Sequence, residues 1–117
     1  MLDGLTEFAY MRRVTTKVDV FSFGIVVMEV LMKRRPTGLT DKDGLPISLR
    51  QLVERALANG IDGLLQVLDP VITKNLTNEE EALEQLFQIA FSCTNPNPED
   101  RPNMNEVLSC LQKISAR

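Results

Sequence analysis

The chain contains no histidine. That single absence removes Ser-His and Cys-His nucleophilic relays and every metal site that depends on imidazole. Basic residues are not abundant either: 13 Lys and Arg stand against 16 Asp and Glu, a net charge of -3, and the longest basic run is Lys33-Arg34-Arg35. Phosphate binding needs clustered cations, so no nucleic-acid partner is expected. The basic run has a local explanation, since cations in the last turn of a helix complement the carboxyl-end dipole. No stretch supplies the roughly 18 apolar residues of a membrane span. The strongest, Val18 to Met32, is interrupted by Asp19, Ser22 and Glu29, so no direct membrane contact is expected. The opening MLDGLTEF is too short and too acidic for a signal peptide; a soluble chain in the cytoplasm is expected. Only two cysteines occur, Cys93 and Cys110, without C-x-x-C spacing, and both are expected as buried free thiols. The six glycines fit neither G-x-G-x-x-G nor the P-loop pattern, so no cofactor and no metal are expected in this chain.

What is present is a chain of 117 residues, 44% hydrophobic and 25% charged, which places it with single globular domains. Val14 to Met32 is apolar on nearly every side, the pattern of a buried helix, with Thr16 and Asp19 as a capping box and Lys33-Arg34-Arg35-Pro36 as its stop. Thr15 and Thr16 are read as capping residues in preference to phosphorylation sites. Thr37 to Ile47 is turn-rich and polar, a loop. Ser48 opens a second helix in which Leu49, Leu52, Val53, Ala56 and Leu57 recur at helical spacing, and Asn59-Gly60 closes it. Gly63 to Leu68 predicts a short further turn, broken by Asp69-Pro70, with Val71 to Thr77 as connection. Thr77 and Glu80 suggest a capping box for a third helix whose apolar stripe is Leu83, Leu86, Phe87, Ala90 and Phe91. The acidic run Glu79-Glu80-Glu81 suits a helix amino end and is read as capping, not as a ligand site. After Asn95-Pro96-Asn97-Pro98, a last helix has Asn103 as cap, Glu106 at its third position, and Met104, Val107, Leu108, Leu111 and Ile114 facing inward. The expected class is all-α, with about four helices.

Three charges stand in unexpected places: Glu7, Asp19 within an almost wholly apolar helix, and Arg101 in the segment PEDRP. An ionised group in an apolar setting costs several kcal/mol, on the order of the penalty for any unpaired buried charge, unless it is hydrogen-bonded or paired. Asp19 therefore either caps its own helix or meets backbone amides from elsewhere.

In order and spacing these residues resemble the protein-kinase family. There the activation segment ends in Ala-Pro-Glu, a buried helix begins Asp-x-(Tyr/Trp/Phe)-Ser-x-Gly, and an arginine precedes the last helix. Here Glu7, then Asp19-Val20-Phe21-Ser22-Phe23-Gly24, then Glu99-Asp100-Arg101-Pro102 follow one another. EFAYMRRVTTKVDVFSFGIVVMEVLMKRRPT, with LRQLVERALANG after it, is similar to plant leucine-rich-repeat receptor kinases, and among them to the flagellin-sensing receptors.

The resemblance implies a division into residues 1–6, a leader that does not match, and 7–117, part of a kinase large lobe. It implies that Glu7 pairs with Arg101, that Asp19 hydrogen-bonds the catalytic-loop backbone, and that Gly24 completes the helix motif, all scaffold roles. Leu5-Thr6 stands where the family has Ala-Pro. The Gly-rich loop, strand lysine, H-R-D and D-F-G motifs are absent from this chain, so ATP and magnesium are implied only for a full-length parent. That parent would be a plasma-membrane receptor phosphorylating serine and threonine in immune signalling. The expected partners are the remainder of a kinase domain or a receptor kinase, or a second copy through self-association. A non-catalytic helical interaction module is the alternative.

Overall fold

The computed structural model describes residues 16–34, 38–75 and 79–115. Among them the elements are α1 (Lys17–Met32), α2 (Leu49–Ala58), α3 (Gly60–Val67), α4 (Pro70–Lys74), α5 (Glu80–Cys93), a 3-10 turn (Pro98–Asp100) and α6 (Met104–Ser115). These described residues contain no strand; one isolated antiparallel bridge joins Thr40 to Pro46. The all-α class is therefore observed, with six α-helices where about four were expected.

Thr16 is extended, and its Oγ1 accepts the Asp19 backbone N–H at 3.1 Å, starting α1. The helix ends because Lys33 turns into the left-handed region at φ 52°, a conformation seldom taken by a residue with a Cβ. Its last turn holds no basic residue. Lys33 and Arg34 lie beyond that turn, so the expected cation placement is corrected by one step along the chain.

The loop after α1 is a tight hairpin. Asp41 Oδ1 accepts the N–H groups of Asp43 and Leu45 at 2.9 and 3.0 Å, and Gly44 supplies the positive φ of 81° that the turn requires. Ser48 and Gln51 then exchange side-chain and backbone bonds of 3.0 and 2.8 Å, a reciprocal cap on α2. Only Asn59 separates α2 from α3. Gly60 opens α3 instead of merely closing α2, because its φ of 67° redirects the chain and the next turn resumes at once. A Cβ on Gly63 would lie 2.4 Å from the Ala56 carbonyl oxygen, so this close return of α3 onto α2 needs glycine.

Asp69-Pro70, expected as a break, starts α4. The Asp69 carboxylate accepts the Val71 N–H at 3.0 Å, and Pro70 occupies the first turn, where a missing N–H costs nothing. The Asp69 N–H reaches the Leu31 carbonyl at 2.8 Å, tying α4 to the end of α1. For α5, Thr77 lies outside the described residues; the cap position is Glu79, which makes no side-chain capping bond. In α6 the expected box is present, with Asn103 Oδ1 accepting from Glu106 N at 2.9 Å and Glu106 Oε1 from Asn103 N at 3.2 Å.

Helix α5 touches α1, α2, α3 and α6 and organises one core. Val20, Phe23, Val27, Met28, Leu31 and Met32 of α1 are buried in it with Leu83, Leu86, Phe87 and Ala90 of α5 and Met104, Val107 and Leu111 of α6. What stays outside is one line at four-residue spacing, Val18, Val26 and Val30, exposed by 71%, 37% and 44%, with Ser22 between them. Among the described residues no helix is long and apolar enough to cross a membrane.

Candidate scaffold site

The start of α1 and the segment before α6 are far apart in sequence but are joined through Arg101. Its Nη1 donates to the Lys17 carbonyl oxygen at 3.0 Å and its Nε to the Asn95 carbonyl oxygen at 2.7 Å. The guanidinium carbon sits 4.8 Å from the centre of the Phe21 ring, within cation–π range. Lys17 Nζ reciprocates by donating to the Arg101 carbonyl oxygen. A planar fork suits this position, since one side chain bridges two carbonyls and stacks on an aromatic face. The sequence singled out Arg101 but not Lys17 or Asn95. Both receive Arg101 on a backbone oxygen, which no side-chain pattern announces.

Gly24 is buried where α1 crosses α5. A Cβ there would come within 2.8 Å of both Cys93 Cβ and Thr94 Cγ2, and 3.0 Å of the Ala90 carbonyl oxygen. Thr94 is fully buried, and its hydroxyl donates to the Ala90 and Phe91 carbonyls at 3.1 and 3.0 Å, which keeps the polar atom satisfied. The crossing is close because glycine occupies one side of it.

Asp19 has a different setting from the one its apolar neighbours suggested. It is exposed in the first turn of α1, where its carboxylate stands at the positive end of the helix dipole and pays no burial cost. The structure does not bring it together with Arg101 or Gly24 in any described contact. Glu7 lies outside the described residues.

Cys93 is buried and Cys110 is exposed. The expectation of two buried thiols is thus corrected for Cys110, which falls off the inward stripe of α6. Burial, and secondarily the neighbouring Cys110, pushes the Cys93 thiol from 9.0 up to about 12, so it is an inert packing group. A second cation–π contact, Arg50 at 3.9 Å over Phe91, joins α2 to α5. Neither residue was distinguished by the sequence pattern as a pair.

Between α5, α6 and the 3-10 turn runs an open groove of about 780 Å³. Lys17, Arg101 and Lys113 line it together with Glu99, Asp100 and Glu106. Three basic and three acidic side chains share it, so no potential of a single sign is focused on an anion there. No cluster of three or more His, Cys, Asp or Glu able to hold a metal occurs among the described residues. What the arrangement does is brace helices.

Comparison with known proteins matches this frame. A family model described as protein tyrosine and serine/threonine kinase covers residues 6–111. The chain is 34% identical over 110 residues to the LRR receptor-like serine/threonine-protein kinase RGI2 of Arabidopsis thaliana, an alignment covering 92% of this chain and 9% of that protein. It is 36% identical over 111 residues to the MDIS1-interacting receptor like kinase 1 of the same plant, covering 95% and 11%. A cysteine-rich receptor-like protein kinase 27 from Arabidopsis thaliana is 34% identical over 110 residues, covering 93% and 16%. The chain spans less than a fifth of the length of each of these relatives.

Proposed function

Because the chain belongs to the protein tyrosine and serine/threonine kinase family, we propose that it serves as the helical base of the large lobe in a receptor-like serine/threonine kinase. In this reading α1 is the beam on which the lobe is assembled, and the Lys17–Arg101 latch fixes the segment before α6 to its start. The observation that carries it is the coincidence of the family match over residues 6–111 with a latch and a glycine crossing built from motif residues. The non-catalytic interaction module has no comparable support.

Three roles follow for the motif residues. Glu7 supplies a carboxylate to Arg101. Asp19, exposed at the amino end of α1, accepts backbone N–H groups from the catalytic loop of a longer parent. Gly24 permits the close crossing of α1 and α5. The line Val18, Val26 and Val30 is covered in that parent by earlier parts of the same lobe.

For the whole protein, this reading gives phosphorylation of serine and threonine in the cytoplasm, downstream of a plasma-membrane receptor, with ATP and magnesium as cofactors. The Gly-rich loop, H-R-D and D-F-G motifs that would hold those groups do not occur in this sequence, and phosphoryl transfer requires nucleotide, metal and hydroxyl to be positioned together. The chain by itself is therefore without kinase activity. Genomic sequence upstream of Met1 tests the assignment. An in-frame extension encoding H-R-D and D-F-G motifs supports it, and a promoter followed directly by this start codon opposes it.

A further inference from the structure

We draw no further inference here: the strongest candidate, the exposed apolar line Val18, Val26 and Val30 along α1, belongs to the scaffold already described, and nothing in the structure shows a second occupant that covers it.

Discussion

Arg101 and Lys17 hold each other by the main chain: the Arg101 Nη1 donates to the Lys17 carbonyl at 3.0 Å, and the Lys17 ammonium donates to the Arg101 carbonyl. The pair closes a loop of 84 residues, so it joins the first described helix to the approach of the last.

Replacing Arg101 by Ala removes two charged donors from carbonyl acceptors and the stack on Phe21. The expected loss is about 2 kcal/mol, given that a hydrogen bond to a charged group contributes about 1.5–3 kcal/mol and this one is partly exposed. Arg101→Lys recovers less than half of it, because an ammonium cannot bridge both carbonyls and stack at once. Urea denaturation checks this through the midpoint at unchanged slope. Equal stability of the Lys variant and the unsubstituted chain would remove the geometric argument.

At Gly24 two effects oppose each other. Alanine gains roughly 1 kcal/mol of helix propensity over glycine, but its methyl would meet two side-chain carbons at 2.8 Å. Overpacking typically costs about 1–3 kcal/mol, and Cys93 Cβ cannot move without its helix. Gly24→Ala is therefore expected to lower the unfolding midpoint; a rise would show that the crossing has slack.

Cys93 gives the stability a pH dependence. Its thiol is held protonated in the fold up to about pH 12, against an ordinary value of 9.0. Below that ordinary value both states carry the proton and nothing changes. As pH rises above it, the unfolded state loses the proton first, so this contribution to stability falls until the folded-state value is reached. The slope approaches a factor of ten in the unfolding constant per pH unit, about 1.4 kcal/mol. Cys93→Ala should flatten that slope, measured by denaturation between pH 8 and about 10. At neutral pH a thiol reagent should label Cys110 in the native chain and reach Cys93 only on unfolding.

The exposed line on α1 predicts concentration-dependent association. Val18→Gln, Val26→Gln and Val30→Gln together should reduce it in sedimentation velocity, while leaving the melting temperature nearly unchanged, since exposed positions usually alter stability by no more than about 0.5 kcal/mol. An unsubstituted chain that stays monomeric with a sharp melt at every concentration would contradict an uncovered apolar face.

Much of this fold is legible in the sequence where local chemistry decides. Asn103 and Glu106 announce their helix because a cap is a contact between near neighbours. Ser48 does the same, although the sequence pattern alone does not single out Gln51 as its reciprocal partner. Asp69-Pro70 reads as a break in sequence but begins a helix, because the same dipeptide can end one helix or occupy the first turn of the next. Asp19 misled in a more instructive way. Its neighbours in sequence are apolar, but the first turn of a helix offers solvent and unpaired N–H groups whatever surrounds it. The site was legible only as far as its side chains. Arg101 and Gly24 were recognisable in the motif, whereas the carbonyls of Lys17 and Asn95 that receive Arg101 depend on tertiary placement alone.

In the proposed function this chain braces a kinase lobe and carries out no phosphoryl transfer of its own. Titration of the purified chain with labelled ATP in the presence of magnesium tests it most directly, with serine- and threonine-bearing peptides assayed in parallel. The account predicts no saturable binding and no labelled peptide. Saturable binding in the micromolar range, or transfer of label to a peptide, would contradict it.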